Sequence, residues 1–152
     1  MTKDFIKQSI DLVGHAILMN CTCETNQKIN LCYTIGLKET YGTDEVCLVG
    51  LNPNSSMGLI NYFVANHIDQ LKKENYNKKL SEIFNFDTIL LPVDENNKEL
   101  FTNFDELSDN QDFEFVQLVV TDDKGKFIFE EGYNQDFDYC CEILGSVNIS
   151  LL

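Results

Sequence analysis

The chain has 152 residues, 43% of them hydrophobic, and 25 acidic side chains against 11 basic ones, for a formal net charge of −14. That length and apolar content predict a single domain over residues 1–152 with a core large enough to hold without staples. Every basic residue is a lysine. The clustered Arg and Lys that neutralise phosphates are therefore missing, which excludes nucleic acid and an anionic membrane as expected partners.

Thr2 suits the N-cap of a first helix in which Phe5, Ile6, Ile10, Leu12 and Val13 form an apolar stripe, with Gly14 as its stop. A strand is predicted from His15 to Cys21. After the polar turn Glu24-Thr25-Asn26-Gln27, a second from Ile29 to Ile35 returns beside it as an antiparallel hairpin. Lys38 to Thr43 reads as a loop. Glu45 to Leu51 reads as a central strand, because Val46-Cys47-Leu48-Val49 is apolar on both faces. Asn52-Pro53 pairs a capping side chain with proline at the first helical position, opening a helix that runs to about Lys73. Its buried stripe is Met57, Ile60, Phe63, Val64, Ile68 and Leu71, with His67 at the edge of the core.

Residues 75–110 are the least patterned. Asp87 to Val93 reads as a strand that Pro92 places near an edge, Asp94 to Asn97 as a turn, and Glu99 to Leu107 as a short helix. Another turn falls at Ser108 to Asp112. Phe113 to Thr121 alternates as a strand. Asp122-Asp123-Lys124-Gly125 then suits a hairpin turn with Lys126 to Phe129 as the return strand, and a last short element spans about Tyr139 to Ile149. The sum is α+β: a mostly antiparallel sheet with two main helices packed on one face.

Few chemistries fit these residues. There is no Gly-rich phosphate loop, dinucleotide fingerprint, zinc-protease helix or serine elbow. The stretch after Met1 lacks the apolar core of a secretory signal, and no apolar run approaches the ~20 residues of a membrane span. A soluble, cytoplasmic protein is expected. Cys21, Cys23, Cys32, Cys47, Cys140 and Cys141 then read as thiols rather than disulfides, without finger-like spacing for zinc. Neither metal nor cofactor is expected. His15 is the side chain suited to proton transfer near neutrality, and a hydrolase would pair it with Glu45 or Asp122.

Four segments carry a resemblance: Gly14-His15-Ala16, Tyr33-Thr34-Ile35-Gly36-Leu37, Glu45 to Leu51, and Gln117 through Gly125-Lys126-Phe127 to Gly132-Tyr133. In that order they resemble a bacterial and phage family catalogued as domain of unknown function 4262. That family shows a Tyr-Thr-x-Gly-Leu strand end, a His-Pro-Glu-Leu strand entry and an Asp-x-x-Gly-Arg-Phe-Pro-Trp hairpin. Here His15 stands where the family tends to have Trp. Thr43-Asp44-Glu45-Val46 keeps only the glutamate of His-Pro-Glu-Leu, Lys126 replaces Arg, and Ile128-Phe129 replaces Pro-Trp. The resemblance implies no particular reaction.

The leading expectation is a non-enzymatic small-molecule binder that holds a nucleotide-like signal, a role suited to a phage-encoded counter-defence protein. Its ligand-binding residues would be His15, Tyr33, Thr34, Gly36, Lys124, Lys126, Phe129 and Tyr133, where aromatic faces stack a ring and lysines, hydroxyls and backbone groups hold anionic parts. The alternatives are an acidic protein-interaction module or inhibitor, and the His15 hydrolase. Exposed strand edges and aromatics also make a homo-oligomer an expected partner state.

Overall fold

In a computed structural model, residues 2–24, 27–101, 104, 113–134 and 143–147 are described. The elements run α1 (Lys3–Val13), β1 (Ala16–Glu24), β2 (Gln27–Ile35), α2 (Leu37–Tyr41), β3 (Glu45–Val49), α3 (Pro53–His67), β4 (Lys79–Leu80), β5 (Thr88–Pro92) and β6 (Phe115–Val119), with short 3₁₀ turns between α3 and β4 and after β5. One six-stranded sheet has the order β1-β2-β3-β6-β5-β4. Only β3 and β6 are parallel, so the architecture is the mostly antiparallel α+β arrangement that the sequence predicts.

The β1–β2 hairpin forms as expected, in register from Ala16–Ile35 to Glu24–Gln27. All five residues of β3 are buried, and so are all five of β6. Two central strands that are apolar on both sides need cover on both faces, and this decides where the helices go. Val46, Leu48, Val116 and Leu118 pack with Ile60, Phe63 and Val64 of α3. The alternate residues Cys47, Val49 and Phe115 join Tyr33, Ile35 and Ile6 of α1. The two main helices therefore serve different cores, and the expectation of both on one face does not hold. A third cluster gathers Ile89, Leu91, Val119 and Phe127.

Local differences have local causes. Thr2 Oγ1 caps α1 by accepting from the Phe5 N–H at 3.2 Å, and Gly14 ends the helix in the left-handed region at φ 91. Its inward edge is the buried Ile6 and the half-buried Ile10, while Phe5, Leu12 and Val13 lie exposed at 56%, 83% and 61%. The five-residue stripe counted apolar side chains that point away from the sheet. The loop predicted after Lys38 is instead the short helix α2, closed by Gly42. Asn52 caps α3 as expected, accepting from the Ser55 N–H at 2.9 Å. The helix stops at His67, earlier than Lys73, and Met57 is exposed rather than part of its buried stripe.

Pro92 pairs with Val116 on β6, beyond the reach of the two-residue β4 on its other side, so its missing N–H costs no ladder bond there. Glu95–Leu100 is a 3₁₀ helix where a turn and the start of a helix were predicted. Most of the Glu99–Leu107 helix, the Ser108–Asp112 turn and most of the Tyr139–Ile149 element fall outside the described residues. No helix among the described residues is long and apolar enough to cross a membrane.

Gly36 has φ 107, and a Cβ there would lie 2.7 Å from Ile10 Cγ1, whereas Gly42 at φ 71 faces open space. Gly36→Ala is expected to lower unfolding stability by roughly 2–3 kcal/mol, the sum of backbone strain and overpacking, and Gly42→Ala by about 1 kcal/mol from strain alone. Urea titration followed by circular dichroism separates the two.

Candidate functional site

The segment around Thr34 and Gly36 is organised by Glu45, which is 2% exposed. Its carboxylate accepts from the Thr34 hydroxyl at 2.8 Å and from the backbone N–H groups of Gly36, Leu37 and Lys38 at 3.3, 3.0 and 3.2 Å. These amides are the orphan donors at the start of α2, and Gly36 has no side chain to satisfy them. Thr34 Oγ1 in turn accepts from the Val46 N–H at 3.0 Å, fastening β2 to β3. Burial pushes the Glu45 carboxyl above the usual range, against the downward pull of Thr34, Lys38, Leu37 and Gly36. Thr34 and Gly36 are therefore structural partners of a buried carboxylate.

Two further predicted ligand residues lie near this end of the sheet. Tyr33 is fully buried, with its ring edge-on to Phe101 and Phe115 at 5.1 and 5.7 Å. His15 is 7% exposed, and its Nε2 lies 3.0 Å from Asn61 Oδ1 of α3. Its Nδ1 is buried with no hydrogen-bond partner among the described residues. Neither carboxylate named for a hydrolase bonds this ring, since Glu45 is committed to α2 and Asp122 lies at the other end of the sheet.

The remaining four occupy the loop after β6. Asp122 is its anchor: Oδ1 accepts from the Lys124 and Lys126 N–H groups at 2.9 and 2.8 Å, and Oδ2 from the Asn134 N–H at 2.8 Å. Burial alone would raise this carboxyl, but the amides of Lys126, Asn134 and Lys124, with the Lys124 charge, hold it below the ordinary range. The expected return strand does not form. The Asp122 N–H bonds the Lys126 carbonyl at 2.8 Å, and the chain then turns again, with Glu130 Oε1 accepting from the Phe127 N–H at 2.9 Å. Lys124 and Lys126 are exposed, while Phe129 and Tyr133 are half-buried.

Strand register separates these two groups. Tyr33 pairs with Cys47 and Leu31 with Val49, so β2 ends where β3 begins. Glu45 pairs with Phe115 and Cys47 with Gln117, so β6 runs parallel to β3 and delivers its loop at the far end. The eight predicted residues thus fall at opposite ends of the sheet, four at each, and do not form one surface.

What does converge is a set the sequence did not single out. A cavity of ≈ 270 Å³ lies between the C-terminal end of α3 and the β4 segment, lined by His67, Gln70, Lys79, Ser81, Glu82 and Ile83 among others. His67, read from sequence as a core-edge residue, is half-buried, with its ring 5.6 Å from that of Tyr62. Tyr62 continues to Phe84 at 6.0 Å and Phe84 to Phe86 at 5.1 Å, an aromatic row leading to the cavity wall. Tyr62 is 49% exposed and presents a ring to solvent. Lys79 extends its ammonium over Phe127, 5.8 Å from the ring centroid, so the cavity's border touches the Asp122 loop. Tyr62 and His67 both fall within the predicted helix but at no helical period, so no local pattern marks this arrangement; the partners on β4 and after it are chosen by folding.

The fold is an open α+β sheet with a small cavity of mixed polarity at its β4 edge. The chain belongs to the family described as Domain of unknown function (DUF4262), whose model matches residues 10–134. Comparison with curated proteins and with solved structures gives no significant match.

Removing the Glu45 carboxylate strands buried donors. Glu45→Ala is expected to cost ~3 kcal/mol or more, at roughly 1–3 kcal/mol for each unsatisfied group, and Glu45→Gln less because one carbonyl oxygen stays. Denaturant midpoints check this order. For Asp122, a lowered folded pKa means that the stabilisation is present above the ordinary carboxylate value, about 3.9, and is lost as pH falls through the folded value. The amide proton shifts of Lys124, Lys126 and Asn134 are expected to move together below about pH 4, and Asp122→Asn to abolish that titration.

Proposed function

We propose that this protein is a non-enzymatic small-molecule binder, that its site is the cavity between α3 and β4, and that its ligand is nucleotide-like. The observation that carries the reading is that the cavity is walled by His67, whose ring lies against Tyr62 at the end of the aromatic row. An exposed tyrosine ring held by neighbouring aromatics offers a planar face for stacking, while Gln70, Ser81 and Glu82 supply donors and acceptors for the edge of a heterocycle. The volume falls just under the usual drug-sized range, which begins at about 300 Å³. It suits a nucleobase-scale ring whose remaining atoms stay in solvent.

Binding is favoured over hydrolysis by where the acid–base groups are spent. Glu45 and Asp122 hold backbone amides, and His15 holds Asn61. Among the described residues, no three His, Cys, Asp or Glu side chains are grouped so as to hold a metal ion. Sequestration of a signal, as in phage counter-defence, is the role that would use such a binder without turnover.

Thermal-shift and calorimetric titration with nucleoside mono-, di- and triphosphates, cyclic nucleotides and nucleosides tests the proposal. At least one compound is expected to raise the melting temperature, with about 2.7 kcal/mol of added stability at a hundredfold excess over Kd, and Tyr62→Ala to weaken its binding. Failure of every compound to bind would overturn the reading.

A further inference from the structure

Two lysines that do not line the cavity are held by carboxylates. Lys72 sits 3.5 Å from Glu74, and Lys98 lies 3.0 Å from both Glu95 and Glu114. Lys79 makes no ion pair among the described residues, in a chain with 25 acidic side chains. Its ammonium rests on the face of Phe127, which is fully buried and fixed in the third core cluster. Its backbone is held by pairing to Ile89 in β5, yet its side chain is exposed and lines the cavity.

From this we infer that the cavity's ligand is anionic and that Lys79 selects for the charge. The inference rests on the small-molecule reading and specifies the ligand's chemistry. An exposed cation over an aromatic face is held more weakly than one hydrogen-bonded to a carboxylate or phosphate oxygen, so an anion entering the cavity draws the ammonium to itself. The anchored strand and fixed aromatic seat keep the cation close to the site without neutralising it. Glu82 lines the same cavity and repels an anion, which confines the charged part of a ligand to the Lys79 side and leaves the carboxylate for ring N–H donors. With no arginine in the chain, the oxygen is met by a single point charge rather than a bidentate fork.

The test compares matched pairs that differ only in charge: AMP with adenosine, GMP with guanosine, and UMP with uridine. Each is titrated calorimetrically into the full chain. In at least one pair the monophosphate is expected to bind about tenfold tighter or more than its nucleoside, the contribution of one charge-assisted hydrogen bond. Lys79→Met is expected to erase that preference and Lys79→Arg to retain it. Lys72→Met, elsewhere on the surface, leaves it unchanged. Circular dichroism establishes that each variant is folded. Nucleosides binding as tightly as monophosphates, or a preference that survives Lys79→Met, would overturn the assignment and leave the small-molecule reading standing. Silence from every compound in both experiments removes both.

Discussion

One buried carboxylate ties together the part of the chain on which the rest is assembled. Glu45 takes a hydroxyl from the end of β2 and three amides from the start of α2, while it sits at the first residue of β3. A buried charge is costly unless its lone pairs are filled, and buried amides are costly unless they have an acceptor. Here each solves the other's problem. The outcome fixes the direction in which the chain leaves the hairpin and the register in which it returns. In this chain the Thr34 hydroxyl, the Gly36 and Leu37 amides and the Glu45 carboxylate are one hydrogen-bonded unit.

From that junction the sheet grows outward under a second constraint. β3 and β6 are buried on both faces, so neither face can be left to water. The helix α3 covers one set of alternating residues, and α1, with Phe101 and Phe104, covers the other. Cys32 and Cys47 show the same alternation. They are adjacent in the sheet but belong to opposite cores, and neither is in a disulfide. Burial, and then the proximity of Cys32, push the Cys47 thiol well above its ordinary value, consistent with a packing role.

Legibility in the sequence follows the range of the interaction. Caps were readable because an N-cap bonds a residue three positions on, as Thr2 does with Phe5 and Asn52 with Ser55. The hairpin and the central strands were readable because period-two alternation and continuous apolar runs are local patterns. The α1 stripe misled because periodicity tells which residues share a side, not which side meets the sheet. The Asp122 loop misled for a different reason. A turn signal of Asp, Lys and Gly marks where the chain reverses, but a carboxylate that collects the amides of residues 124, 126 and 134 builds a loop instead of a second strand.

The sequence by itself determined the secondary elements with strong local patterns, the acidic and arginine-free surface, and the family. Those depend on composition and on neighbours a few residues apart. Tertiary structure decided the rest: that β6 lies parallel beside β3, that the two motif-bearing segments end at opposite ends of the sheet, and that His67, with the Tyr62 ring behind it, and Lys79 line one cavity. A strand's register sets which end of the sheet its loop occupies. Register is chosen by burial on both faces at once, a condition that no single segment of the chain carries.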